Sequence, residues 1–181
     1  MGMKRVVLLI LSAVVVLSSC SPIHVGRVLT DNSNLRADEK AEKLINAINN
    51  RDNEAIKALF SKKTVNDVAD FDESIERLYE FIQDEIVSWE STGSYGGETS
   101  NSNGHKTEEK SSYYYVNTNN QRYYFLLDDC LIDTYNPDNV GYYLFIVTKA
   151  ENREKVFNKE QKIFYDGDIE LTPTGILIPF E

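Results

Sequence analysis

The residues best suited to do chemistry lie in one apolar stretch, where Asp128, Asp129 and Asp133 interrupt a run that begins Tyr123-Tyr124-Phe125-Leu126-Leu127. Aspartate is disfavoured inside strands. Alternation along a strand sends neighbouring side chains to opposite faces, so one of Asp128 and Asp129 turns inward. A carboxylate held among tyrosines in apolar surroundings has a raised pKa and can act as general base on an enolisable or dehydratable substrate. The competing reading places both aspartates at a strand bend, satisfied by solvent or backbone amides. Half of the chain's 11 tyrosines, 8 phenylalanines and 1 tryptophan fall between Tyr113 and Phe145. Tyr113, Tyr115, Tyr123, Phe125 and Tyr143 are therefore the candidates to line a pocket, since apolar concavities with a few convergent polar groups are the usual small-molecule sites. Tyrosine also favours strands for its own sake and pairs well across them.

Other constellations lack their parts. The two histidines, His24 and His105, have no second His or Cys at ligand spacing, so no metal site is expected. No nucleophile elbow accompanies His105. The glycines before residue 105 are not followed by Gly-Lys-Ser/Thr, so they form no phosphate loop. Asp166-Gly167-Asp168 lacks the remaining ligands of a calcium loop and reads as a turn. No cofactor is expected. Cys130 sits between apolar residues and reads as a buried, inert thiol.

The N-terminus carries a different kind of signal. Lys4 and Arg5 precede an apolar run from Val6 to Val16 broken only by Ser12, then Leu17-Ser18-Ser19-Cys20. A basic start, an apolar stretch of this size and small residues before a cut mark a secretory signal. The run is too short to span a bilayer, which takes roughly 20 apolar residues. Leu17, Ser18, Ser19 and Cys20 resemble the bacterial lipobox, which implies cleavage before Cys20 and a diacylglyceryl thioether on it. Cleavage would leave 17 basic against 29 acidic residues. Such a surface repels phosphates, so nucleic acid is not an expected partner and the lipid alone must hold the domain to its membrane.

Periodicity supplies the elements that position these groups. Residues 1–19 read as the signal, 20–35 as a lipidated tether, and 36–181 as a single α+β domain. Ala41, Leu44, Ile45 and Ile48 make one helical stripe from Arg36 onward. Asp52 is the candidate N-cap of a second helix burying Ala55, Ile56, Leu59 and Phe60, with Lys62 and Lys63 at its C-terminal end. Asp70 and Glu73 open a third, whose stripe runs Ile75, Leu78, Tyr79, Ile82 and Ile86. Val87 and Trp89 begin a strand. Between Ser91 and Gly104, 12 of 14 residues are Gly, Ser, Thr or Asn, which predicts a flexible loop. Strand-like runs follow at 105–117, 121–134 and 141–149, separated by turns at Asn117-Thr118-Asn119-Asn120 and Asn136-Pro137-Asp138-Asn139. The segment 151–162 is ambiguous, and a short strand is expected near Ile169 or over Ile176-Leu177-Ile178. Helices on one face of an antiparallel meander are the expected architecture.

The order and spacing of Asn50-Arg51-Asp52 with Ile56, Leu59-Phe60-Ser61, Ile86-Val87-Ser88-Trp89, Tyr123-Tyr124-Phe125, Asp133 and Asn136-Pro137-Asp138-Asn139-Val140-Gly141 resemble a family of uncharacterised lipoproteins from Gram-positive bacteria. The resemblance covers roughly residues 36 to 150. It implies a fold similar to the nuclear transport factor 2-like superfamily (also described as cystatin-like), a strongly bent sheet wrapped round a long helix as a cone. Steroid isomerases of that superfamily use a carboxylate beside tyrosines, but fold alone does not carry function. The expected role is a membrane-anchored, extracytoplasmic domain that binds a small molecule, an envelope component or a protein, with a homodimer left open. The alternative is an isomerase- or dehydratase-like enzyme using Asp128 or Asp129.

Overall fold

A computed structural model describes residues 32–156 and 174–179. The signal, the lipobox and Cys20 lie outside the described residues, as do Asp166-Gly167-Asp168 and Ile169.

The first helix, α1, spans Asn32–Asn49 and therefore starts ahead of Arg36. It buries Ala37, Ala41, Leu44, Ile45, Ala47 and Ile48, one continuous stripe at helical spacing. The helix stops where Arg51 takes a left-handed φ of 50°. Arg51 N–H then donates to Ile48 O at 3.1 Å and Asp52 N–H to Ala47 O at 2.9 Å, which satisfies the last carbonyls of α1. Asp52 caps α2 (Asn53–Leu59) by accepting from Ala55 N–H at 3.0 Å, as its position in the sequence suggests.

Lys62 and Lys63 do not close that helix. The chain turns extended at Phe60, and Ser61 caps a further helix, α3 (Lys62–Asp67), through its hydroxyl and Thr64 N–H. Asp70 caps α4 (Phe71–Phe81), accepting from Glu73 N–H at 2.9 Å. Ile86, expected on this last helix, instead opens the sheet: α4 ends at Phe81, and Asn49 grips Ile86 with both its amide atoms at 2.8 and 2.9 Å. No described helix is long and apolar enough to cross a membrane.

The sheet runs β1 (Ile86–Ser102), β2 (His105–Thr118), β3 (Arg122–Asp133), β4 (Gly141–Lys149) and β5 (Gly175–Leu177), in that spatial order. The first four strands form an antiparallel meander and β5 joins β4 in parallel. The expected loop at 91–104 is thus strand. Tyr95 to Ser102 pair one for one with Ser112 to His105, and the chain reverses over Asn103-Gly104 at φ 51° and 84°. Asn-Gly between two strands is the strongest short hairpin signal, and it outweighs the poor strand propensity of the serines and glycines before it. A short helix, α5 (Arg153–Val156), follows β4.

Helices α1 to α4 cover one face. Leu44, Ile48, Ile56, Ile75 and Leu78 pack against Tyr114, Val116, Tyr123, Phe125, Leu127, Phe145 and Val147 in the main core. The other face holds a smaller cluster of Tyr124, Leu126, Leu144, Ile146 and Val156. Four helices on one face of a largely antiparallel sheet, with only the short α5 adding Val156 to the other, make an α+β domain.

Candidate functional site

Strand alternation places Asp129 on the helix-covered face, in line with Tyr123, Phe125 and Leu127. The ladder slips at this point. Asp128 pairs with Leu144 but Asp129 pairs with Tyr142, so β4 carries one extra residue, Tyr143. Such a bulge re-aims side chains. Here it brings the Tyr142 ring onto the helix face beside Asp129. The adjoining Gly141 is required by close approach: at φ 134°, a Cβ would lie 2.4 Å from Ser61 N. Ser61 N–H donates to Tyr142 O at 2.9 Å, so α3 is sewn to β4 at the same spot.

Helix α1 completes the arrangement. Lys40 Nζ reaches Asp129 Oδ1 at 2.5 Å and lies 4.0 Å above the Tyr142 ring centroid. Asp129 is 3 % exposed and Tyr142 1 %. About one-fifth of the Lys40 side chain (22 %) stays open to solvent. Asp129 Oδ2 and the Tyr142 hydroxyl are buried without a hydrogen-bond partner among the described residues. Orphaned polar atoms of this kind are rare and call for a function or an absent partner. Burial pushes the Asp129 carboxyl up, against the pull of Lys40, and the same burial pushes the Lys40 amine down, against the pull of Asp129. Both displacements make the charged forms less favourable than in water, so desolvation weighs on an ion pair that its own Coulombic attraction holds together. The Tyr142 phenol is driven well above its ordinary value by burial, then by Asp129 and Tyr114.

Two residues earlier on α1, Asp38 accepts from Tyr114 OH at 3.0 Å and Tyr95 OH at 2.8 Å, and Tyr95 OH also meets Ser91 Oγ at 2.8 Å. The N-terminal half of α1 therefore covers a polar end of the interface, while Leu44 and Ile48 cover an apolar one.

The candidate pocket residues separate. Tyr123 and Phe125 are buried in the helix-side core, where Tyr123 OH donates to Phe81 O at 3.1 Å. Tyr113, Tyr115 and Tyr143 are partly buried on the opposite face with Tyr124. Asp128 also lies on that side. Burial raises its carboxyl to about 6, opposed by a hydrogen bond to Ser111 and reinforced by Glu109. Tyr143 OH approaches Glu109 Oε2 at 3.4 Å. The two adjacent aspartates are thus on different faces, Asp129 buried under α1 and Asp128 partly buried on the opposite side beside Ser111 and Glu109.

Asp133 is structural. It accepts from Tyr135 and Asn136 N–H at 3.0 and 2.9 Å, from Asn139 Nδ2 at 2.8 Å, and contacts His105 Nε2 at 3.0 Å, which holds its carboxyl well below the usual range. His105 also stacks on Tyr135 at 4.2 Å. Cys130 is buried, its thiol pushed up to about 11 by burial, and it contacts Ile132 O at 3.6 Å. A high thiol pKa suits an inert cysteine. Two open, charged concavities sit elsewhere, one of about 540 Å³ lined by Arg77, Glu80, Asp84, Asn120 and Lys149, the other of about 510 Å³ around Arg51, Glu54 and Glu76. Neither includes an aspartate of β3.

Sequence reasoning missed Lys40, Asp38 and Tyr142. The first had a readable signal. Lys40 follows Ala37 by one turn and precedes Leu44 by another, so it is a charge on the buried stripe.

Residues 43–150 match a family model described as a domain of unknown function (DUF5104). Comparison with the curated proteins finds no match.

Proposed function

The chain belongs to the DUF5104 family, and from that premise we propose a lipid-anchored, extracytoplasmic binding domain whose ligand end is the Lys40–Asp129–Tyr142 cluster. In this reading Cys20 carries the diacylglyceryl anchor, with Leu17, Ser18 and Ser19 as the recognition sequence. The helix-backed meander is a cone of the nuclear transport factor 2-like kind, α1 running along its inside. One observation carries the binding role: Asp129 Oδ2 and the Tyr142 hydroxyl are buried without a partner among the described residues, on two side chains that contact a lysine with a solvent-facing edge. Two such orphans are worth roughly 1–3 kcal/mol each in lost hydration, which a ligand supplying a donor and an acceptor would restore.

The isomerase or dehydratase alternative needs a free carboxylate as base. Asp129 occupies the interior position for it, but Lys40 at 2.5 Å competes for the same lone pair, and Asp128 lies across the sheet. The binding reading is therefore preferred. Partners other than a small molecule, whether an envelope polymer, a protein or a second copy, become outcomes of the test.

Native mass spectrometry of the protein exposed to an extract of envelope fragments and small metabolites is the measurement. A retained mass that Tyr142→Phe abolishes is expected; an unliganded mass under every condition would overturn the reading. The anchor is tested separately. Cys20→Ser should abolish palmitate labelling, and persistent labelling would remove the lipid from the proposal.

A further inference from the structure

The orphaned atoms beside Lys40 define a more specific chemistry. We propose that Lys40 is an imine-forming amine that captures the carbonyl group of a small aldehyde or ketone, with Asp129 as its proton relay. This rests on the ligand end assigned above and goes beyond it by naming the ligand class and a covalent step.

The geometry supplies each part. Lys40 Nζ and Asp129 Oδ1 are 2.5 Å apart, close enough to pass a proton directly. Asp129 Oδ2 is unoccupied and buried, so the carboxyl has a second oxygen to serve a reacting hydroxyl. The Tyr142 hydroxyl, also buried and without partner, is a donor available to a carbonyl oxygen. Lys40 is in contact with Asp129 and Tyr142, and the charges of Cys130 and Arg36 act on it through space. Burial on α1 and the Arg36 charge both favour the free amine, and desolvation of this kind is a recognised way to activate a lysine.

The step balances without an outside oxidant or reductant. Asp129 takes one proton from the ammonium, freeing the Nζ lone pair. That pair forms a C–N bond as the carbonyl π electrons move to oxygen, and transfer of the second nitrogen proton gives a neutral carbinolamine. Asp129 then returns its proton to the hydroxyl, the C–O bond breaks and water leaves. The product is a protonated imine facing the Asp129 carboxylate, the same charge pair as at the start. The reaction is reversible, so a lysine of this kind holds a carbonyl ligand without consuming it.

The test uses the full-length chain with propionaldehyde and cyanoborohydride at neutral pH, limiting reagent, and peptide mass spectrometry to locate the alkylated amines. Lys62, with 81 % of its side chain exposed, is the internal reference. Lys40 should be alkylated about tenfold or more faster than Lys62 despite its burial, in keeping with a depressed amine pKa. Asp129→Asn should slow Lys40 selectively and leave Lys62 unchanged. Alkylation that follows exposure, with Lys62 first and Lys40 spared, overturns the proposal, as does an Asp129→Asn rate at Lys40 equal to wild type. A noncovalent ligand retained in native mass spectrometry alongside an unreactive Lys40 would overturn the imine and leave binding standing. Loss of both would overturn both.

Discussion

Asp128 and Asp129 are adjacent in sequence and opposite in circumstance. Asp129 sits under α1, in contact with Lys40 and Tyr142. Asp128 sits on the other face, near Ser111, Glu109 and two tyrosines, Tyr113 and Tyr143, whose phenols burial and then the Asp128 charge drive upward. Burial raises the pKa of both carboxyls, but among the described residues only Asp129 has an ammonium within 3 Å to offset it. The difference teaches that a pair of carboxylates in an apolar strand is two separate devices. The pleat assigns each to a face, and what the opposing element brings to that face decides its chemistry.

Substitution should reverse sign between the two. Lys40→Met leaves the Asp129 carboxyl buried without its counterion, and breaking a buried pair in this way costs about 3–5 kcal/mol. Lys40→Met with Asp129→Leu removes both charges and should recover most of that loss in urea unfolding. A single substitution as mild as the double would show that the pair is hydrated and break the comparison. Gly141→Ala comes next. Its Cβ would collide with Ser61 and Phe60 backbone at a φ that side chains rarely adopt, for a loss of about 1–3 kcal/mol and a displaced Tyr142 ring.

Asp128→Asn should stabilise. Its folded pKa of about 6 stands above the ordinary 3.8, so the folded state holds this proton more tightly than the unfolded chain. The sign follows from linkage: stability is fully present below about pH 4 and declines as pH rises through 6, after which this contribution is constant. Removing the titratable group should therefore gain roughly 1–3 kcal/mol at pH 7 and flatten the stability profile between those limits. Denaturant midpoints at pH 4, 5, 6 and 7 read it directly. An Asp128→Asn protein that is weaker than wild type at pH 7 would mean that its carboxylate, like that of Asp129, has a compensating partner.

Much of this arrangement is legible without coordinates. Helical stripes, the caps at Asp52 and Asp70, and the meander from residue 105 all follow from period and turn chemistry. The opposite orientations of Asp128 and Asp129 follow from the pleat. What a linear reading lacks is the bulge at Tyr143, because an extra residue in one strand leaves no mark in its own composition and yet decides that Tyr142 joins Asp129. The same bulge turns Tyr143 away from Tyr123 and Phe125, whereas Tyr113 and Tyr115 part from them through the β2–β3 register, which sets them opposite Leu126 and Tyr124. Lys40 is the instructive miss. Its place among Ala37, Ala41 and Leu44 marks it as a charge that must be answered from the sheet, and Asp129 was the inward carboxylate waiting for one.

The stretch from Ser91 to Gly104 offers the smallest effect and the cleanest separation of local from tertiary control. Its serines, threonines and glycines are poor strand formers, yet it is paired throughout from Tyr95 to Ser102. Two things hold it: the Asn103-Gly104 turn, with both residues at positive φ, and Tyr95, whose hydroxyl anchors the strand to Asp38 on α1. Asn103→Ala forces a side chain without local hydrogen bonding into the left-handed region and should cost about 1 kcal/mol. Tyr95→Phe removes the bond to Asp38 and should cost about as much. Hydrogen exchange tells them apart. If turn chemistry dominates, Asn103→Ala speeds exchange at the tip, from Ser100 to Thr107, and leaves Gly96 protected. If the helix contact dominates, Tyr95→Phe loosens Gly96 and Gly97 first and the tip follows. Equal loosening of the whole hairpin by either change would show that the strand is one cooperative unit, held jointly by its turn and by the polar end of α1.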